Sequence, residues 1–129
     1  MALVNIVIVV ALFQYIAFAF AVGRARGRCG VSAPAITGNA EFERYYRVQM
    51  NTLELLVAFI PGMLIFGHYV SSLWAAVLGL VFVFGRTLYF FTYTQDPARR
   101  GPGFGLSFTP VVILLAGSLY ATLRVQLGF

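Results

Sequence analysis

The chain has 129 residues, of which 60% are hydrophobic and 10% charged, and its formal net charge is +5. With a mean hydropathy of +0.87, this composition excludes an ordinary soluble domain and is typical of an integral membrane protein. The single cysteine, Cys29, excludes an intramolecular disulfide and offers no cysteine spacing for a metal site. The chain therefore needs enough apolar segments to cross a bilayer.

Four apolar segments account for nearly all of the sequence. The first has about the 20 residues that a bilayer core requires. It has no basic residues before it and is longer than a signal-peptide core, so we take it as a spanning helix. The prediction is an all-α fold, an integral membrane four-helix bundle in one domain over residues 1–129. We expect its helices at about residues 2–22, 42–66, 73–93 and 104–127.

The three connections differ in length and charge. The first, residues 23–41, contains four glycines and a proline and is predicted to be irregular. The second is a tight turn, so the second and third helices should be antiparallel neighbours. Arginines cluster around the first and third connections and are missing from the second, which predicts that connections one and three are cytoplasmic and both termini outside.

All nine basic residues are arginines, although the sequence pI is about 9.9. They cluster at one membrane face without a soluble domain to carry them, so no nucleic-acid partner is expected. Membrane lipid headgroups are the expected partners of Arg24 and Arg28. The absence of lysine, together with many glycines and alanines, indicates a bacterial source, and the expected location is the inner membrane.

Polar side chains interrupt the second segment where it enters the membrane. Arg47, Asn51 and Glu54 are spaced i, i+4 and i+7 on one helix face, with Arg44 one turn nearer the cytoplasm. A charge at membrane depth costs at least ~2.5–3.5 kcal/mol on insertion scales, so each needs a partner. The stripe predicts a site for a polar ligand. Alternatively, a Glu54–Arg47 or Glu54–Arg86 pair only fixes helix packing.

The third helix repeats this pattern with Arg86, Tyr89 and Tyr93 at i, i+3 and i+7. The second helix enters the membrane at the cytoplasmic boundary and the third ends there, so the two polar faces should meet. The connections add further cations to the same boundary: Arg26 from the first, and Arg99 and Arg100 from the third.

This set of side chains favours a ligand with at least two anionic groups for the arginines and a cation or donor for Glu54. Glutathione, a γ-glutamyl tripeptide, fits with two carboxylates, an ammonium and a thiol. A nearby guanidinium favours the nucleophilic thiolate without losing its own proton. Gln49 lies ~200° around the helix from Arg47 and is therefore predicted to serve a neighbouring subunit's site.

One segment resembles the signature of the MAPEG family, membrane-associated proteins in eicosanoid and glutathione metabolism: Phe42 to Glu54, with the sequence FERYYRVQMNTLE. Residues 31–34 (VSAP) and 86–90 (RTLYF) resemble its leukotriene C synthase and microsomal glutathione transferase branch. The resemblance covers about the whole chain. It implies four helices per subunit, a homotrimer, and glutathione bound between subunits near the cytosolic side.

Residue by residue, the resemblance implies a membrane-bound glutathione transferase. The glutathione thiolate would be conjugated to lipophilic electrophiles, with lipid hydroperoxide reduction as a further activity, and no metal is implied. Arg100 matches the catalytic arginine that stabilises the thiolate. Because Arg99 is next to it, the alignment of this loop leaves open which of the two arginines is the match. The implied glutathione contacts are Arg47, Asn51, Glu54, Tyr89 and Tyr93 of one subunit and Arg26 and Gln49 of the next.

Two alternatives belong to other classes. A non-catalytic lipid-binding scaffold would resemble the five-lipoxygenase-activating protein, which lacks the arginine matching Arg47 and has a shorter acid in place of Glu54. A small four-helix exporter would carry a coupling carboxylate at midplane, usually in its first helix, and this first helix has none. The residues present favour the enzyme.

Overall fold

A computed structural model describes residues 1–129 of the chain. Each of its four long helices is long and apolar enough to cross a membrane, so the predicted all-α, four-helix fold is confirmed. A short 3-10 turn, Pro97–Arg99, precedes the last of them. The helices are α1 (Ala2–Cys29), α2 (Ala40–Tyr69), α3 (Ser72–Gln95) and α4 (Gly101–Leu127).

Helix α1 is longer than the sequence predicts. It was expected to end near residue 22, but it continues to Cys29 through two glycines. An interior glycine costs only ~1 kcal/mol relative to alanine, which the neighbouring alanines and arginines can offset. The helix ends at Gly30, whose φ of 69° is left-handed and whose N–H donates to the Arg26 carbonyl. Arg26 therefore lies on a helix and not in a loop.

Side-chain caps set the starts of α2 and α3. The Asn39 side chain accepts a hydrogen bond from the Phe42 N–H at 3.0 Å, so α2 begins two residues before the predicted position. Ser71 caps α3 in the same way through the Trp74 N–H at 3.2 Å. Only two residues separate α2 from α3. The two helices are therefore neighbours joined by a tight turn.

The centre of the bundle is apolar and draws on all four helices. Phe59 of α2 and Phe82 of α3 stack with ring centroids 3.9 Å apart, and Val4 of α1 and Leu114 of α4 are buried in the same cluster. The outer surface is also apolar, and Phe20 of α1 is 72% exposed. Such a surface is suited to lipid, which solvates exposed apolar side chains as readily as a core does.

Helices α3 and α4 approach each other closely at two glycines. A Cβ on Gly103 would lie 2.5 Å from the Tyr89 backbone nitrogen, and one on Gly85 would lie 2.7 Å from the Ser107 nitrogen. Small residues allow membrane helices to come this close. The contact places the beginning of α4 directly beside Tyr89.

We expect Gly103→Ala to destabilise the protein by ~1–3 kcal/mol, because the added methyl group forces two backbones apart. Gly105→Ala is the matched control, since no atom lies within 4 Å of its Cβ position. Both changes gain ~1 kcal/mol of helix propensity, so the control should be neutral or stabilising. Thermal unfolding of the two variants in detergent measures the difference. Equal melting temperatures would contradict the close approach.

Candidate functional site

A polar cavity of about 450 Å³ lies between α2, α3 and the beginning of α4. It brings together five of the eight residues predicted to form the site, and two further residues of α4 complete its wall. Its lining residues are Arg47, Asn51, Tyr89, Tyr93, Arg100, Gly101 and Phe104.

Helix α2 contributes a cation and an amide to the cavity, and the predicted site residue Glu54 does not line it. Arg47 and Asn51 line the cavity one helical turn apart. Glu54 is linked to them through Arg47, whose Nη1 lies 3.7 Å from the Glu54 Oε1. The two side chains are 52% and 56% exposed, so this pair contributes only ~0–1 kcal/mol. Both charged groups therefore remain available to a ligand.

Helix α3 contributes two stacked phenols. The rings of Tyr89 and Tyr93 lie with centroids 5.3 Å apart. Tyr89 is 4% exposed, and the guanidinium carbon of Arg86 lies 4.3 Å from its ring centroid. The ring of Tyr89 therefore contacts a cation, and its backbone lies close to Gly103.

Arg86 is fully buried next to the cavity and makes no ion pair. Its Nη1 donates to the Asn51 Oδ1 at 2.7 Å and to the Thr52 Oγ1 at 3.3 Å. Its Nη2 donates to the Ser107 Oγ at 2.7 Å. Of the two packing pairs that the sequence allows, Glu54–Arg86 is not formed, while Glu54–Arg47 is.

The connection between α3 and α4 presents Arg100 to the cavity. The Asp96 side chain accepts a hydrogen bond from the Ala98 N–H at 3.0 Å and fixes the 3-10 turn. Arg100 follows this turn immediately before α4 and lines the cavity, whereas Arg99 does not. Of the two neighbouring arginines that the sequence does not distinguish, Arg100 is therefore the one at the cavity.

Arg26 and Gln49 lie outside the cavity. Arg26 donates through Nη1 to the Ala35 carbonyl at 2.5 Å, and its guanidinium carbon lies 4.7 Å from the Phe42 ring centroid. The Gln49 amide contacts the Tyr15 hydroxyl at 3.5 Å. That both residues serve a neighbouring subunit's site stays a prediction.

Arg44, which begins the polar stripe, does not line the cavity either. Its Nε donates to the Thr94 carbonyl at 2.9 Å, near the end of α3. This bond joins the beginning of α2 to the end of α3, the two helix ends that frame the cavity. The periodicity of the sequence groups Arg44 with Arg47. Only the fold shows that Arg44 donates to a backbone carbonyl and not to the cavity.

The cavity combines groups that suit an anionic ligand with a cationic end. Arg47 and Arg100 are exposed donors with permanent positive charge. Asn51 and the two phenols add neutral hydrogen-bonding groups, and Glu54, which pairs with Arg47 outside the lining, can accept from an ammonium. Such a set can bind one anionic group at Arg47 and hold a second, developing anion near Arg100.

The chain matches one protein family and is similar to several known proteins. The sequence profile of the MAPEG family matches residues 4–120. An uncharacterized protein of Synechocystis is 44% identical over 113 residues, which are 88% of this chain and 82% of that protein. Human microsomal glutathione S-transferase 2 is 42% identical over 103 residues, 79% of this chain and 70% of that protein.

A more distant match is leukotriene C4 synthase of Cavia porcellus, which is 40% identical over 83 residues, or 64% of this chain and 55% of that protein. These relatives agree with the resemblance carried by Phe42–Glu54. Because the family profile covers most of the four-helix bundle, the chain belongs to the MAPEG family.

Proposed function

We propose that this protein is a membrane-bound glutathione transferase that joins the glutathione thiolate to lipophilic electrophiles. The observation that carries the proposal is the cavity itself, in which Arg47, Asn51, Tyr89, Tyr93 and Arg100 converge at the end of an apolar bundle. The glutathione transferase among its relatives supports the same chemistry. The substrates are then a water-soluble thiol from one side and an apolar molecule from the bilayer.

One carboxylate, the ammonium and the cysteinyl part of glutathione have partners in this proposal. Arg47 and Asn51 donate to a carboxylate, and Glu54 accepts from the ammonium. Tyr89 and Tyr93 hydrogen-bond near the cysteinyl part of the tripeptide. Arg26 and Gln49 of a neighbouring subunit would close the site, in a homotrimer that binds glutathione between subunits.

Arg100 is the proposed catalytic residue. Its guanidinium lies at the cavity wall and would stabilise the negative charge on sulfur, which lowers the pKa of the bound thiol. The thiolate then attacks the electrophilic carbon, a carbon–sulfur bond forms, and the leaving group departs with its electron pair. The same thiolate would attack the terminal oxygen of a lipid hydroperoxide, so that an S–O bond forms, the O–O bond breaks, and the alkoxide takes up a proton and leaves as the alcohol. A second glutathione then reacts with the resulting sulfenic acid to give glutathione disulfide and water.

We further propose a multi-pass inner-membrane location in a bacterium, with connections one and three in the cytoplasm and both termini outside. The cavity lies beside the third connection, which carries Arg99 and Arg100. This orientation gives the site access to cytoplasmic glutathione.

The conjugation rate is expected to rise with pH and then to level off. Below the pKa of the bound thiol the nucleophile is protonated, and above it the thiolate fraction is complete. The midpoint of the rise should lie below the ~8.5 of a free thiol, because the proposed position of Arg100 beside the sulfur favours the thiolate. Conjugation of 1-chloro-2,4-dinitrobenzene by the purified protein, followed from pH 5 to 9 with the uncatalysed rate subtracted, measures this profile. A rate independent of pH, with chemistry shown to be limiting, would contradict the thiolate mechanism.

Glu54→Gln is expected to weaken glutathione binding by about tenfold. The change removes an acceptor for the ammonium, a charge-assisted contact of ~1.5–3 kcal/mol. It also frees Arg47 from a half-exposed pair that contributes only ~0–1 kcal/mol. The lost contact with the ammonium is larger, so the net effect is weaker binding. Glu43→Gln is the matched control, an exposed acid in the first turn of α2 outside the cavity. Calorimetric titration compares the two, and equal affinities would remove Glu54 from the site.

A further inference from the structure

Arg86 is a buried cation that has only neutral partners. It is 0% exposed, and its hydrogen-bond acceptors are an amide and two hydroxyls. No acid neutralises it, because the two ion pairs of the structure involve other residues. Burial of an unneutralised charge is costly, and an apolar side chain of similar volume would pack a helix interface at least as well. Packing alone therefore does not account for an arginine at this position.

The hydroxyl partners of Arg86 are oriented by their own helices. Thr52 donates to the Val48 carbonyl at 2.8 Å, and Ser107 donates to the Gly103 carbonyl at 2.6 Å. Because each hydroxyl hydrogen is already used, only the oxygen lone pairs are left for Arg86. The guanidinium is thus held rigidly between α2 and α4.

The third acceptor, Asn51, is the one that lines the cavity. A guanidinium can only donate, so the Asn51 atom that meets Arg86 must be the carbonyl oxygen. That bond, at 2.7 Å, is charge-assisted and prevents the amide from turning over. It leaves the Nδ2 group, a donor, as the polar end of Asn51 that a ligand can meet.

We propose that Arg86 is a positioning residue for the glutathione site. It fixes the Asn51 amide so that the cavity offers a donor to a carboxylate or carbonyl of glutathione. Its contact with the ring of Tyr89 holds a second lining residue in the same network. This inference rests on the proposed function, since it assigns the orientation of one of the proposed glutathione contacts.

Asn51→Asp tests the orientation directly. The aspartate would keep the contact with Arg86 as an ion pair, so we expect a melting temperature at or above that of the wild type. It offers only acceptors to the ligand, and the affinity for glutathione should fall about 10-fold or more. The matched control is Asn39→Asp, because either residue caps a helix equally well and Asn39 lies outside the cavity.

A double-mutant cycle tests whether Arg86 acts through Asn51. Arg86→Gln can accept a hydrogen bond, so the amide is free to turn over, and we expect an affinity loss of about 10-fold. In an Asn51→Ala background, Arg86→Gln should weaken the affinity for glutathione by less than about 2-fold, because the effects of two coupled residues do not add. Melting temperatures of all variants identify any that fail to fold, in which case Asn51→Asp alone decides.

Glutathione titration of the wild type, in the same series, separates this inference from the proposed function. If the wild type does not bind glutathione, the proposed function fails. If it binds, and Asn51→Asp binds equally well, the assignment of Asn51 as a donor is wrong. Additive losses in the double-mutant cycle would likewise overturn the positioning role of Arg86.

Discussion

Arg100→Ala is expected to lower the kcat of conjugation by about 10²–10³-fold, while the Kd for glutathione changes only a few-fold. Removal of one preorganised donor from a developing anion typically has an effect of this size. The proposed carboxylate and ammonium contacts of glutathione involve α2 and not Arg100, so binding should largely survive. Steady-state kinetics with 1-chloro-2,4-dinitrobenzene, together with calorimetric titration, separate the two effects.

Arg99→Ala is the control for this prediction. Arg99 is the neighbouring residue, is also exposed, and does not line the cavity. Its substitution should leave kcat within about 2-fold of the wild type, as for a surface change away from the site. Wild-type turnover in Arg100→Ala would contradict the assignment and move the role to Arg99 or Tyr89.

Arg47→Ala is expected to weaken glutathione binding by about 10–100-fold. The guanidinium can donate two parallel hydrogen bonds to a carboxylate, and a bond to a charged group contributes ~1.5–3 kcal/mol. Because Arg47 contacts a part of glutathione that does not react, kcat at saturating glutathione should change little. Calorimetry gives the Kd and steady-state kinetics the kcat.

The melting temperature of Arg47→Ala shows whether a loss of binding reflects the site or a loss of the fold. The substitution also breaks the Arg47–Glu54 pair, but both side chains are about half exposed, so the melting temperature should hardly move. Arg24→Ala, an exposed arginine of α1 that does not line this cavity, should bind glutathione normally. Normal affinity in a folded Arg47→Ala variant would exclude this residue from the site.

The helices could be predicted from the sequence because length and hydropathy are local properties. Helix α2 is the clearest case, since its polar residues recur at helical spacing and place Arg47 and Asn51 in one cavity. The end of α1 could not be predicted, because two interior glycines cost little free energy and the neighbouring residues decide whether the helix continues through them. The left-handed Gly30 is the actual stop.

The buried contacts next to the site could not be predicted, because they form between helices that are far apart in the sequence. Spacing places Arg86 and Tyr89 on one face of α3 but does not identify Ser107 of α4 as an Arg86 partner. That contact exists because Gly103 and Gly85 let the two backbones meet. The role of Arg26 and Gln49 at another subunit's site stays a prediction, because it concerns contacts between chains that the spacing of residues within one chain does not fix.

The most direct test of thiol activation is the ultraviolet thiolate band of glutathione, recorded during its titration into the detergent-purified protein at neutral pH. Free glutathione is mostly protonated there, so any saturable band reports a thiol activated by the protein. We expect a thiolate signal that saturates with binding, disappears with S-methylglutathione and is strongly reduced in Arg100→Ala. Saturable binding without the band would contradict thiol activation at this cavity, and no binding would return Arg47, Asn51 and Glu54 to a packing role.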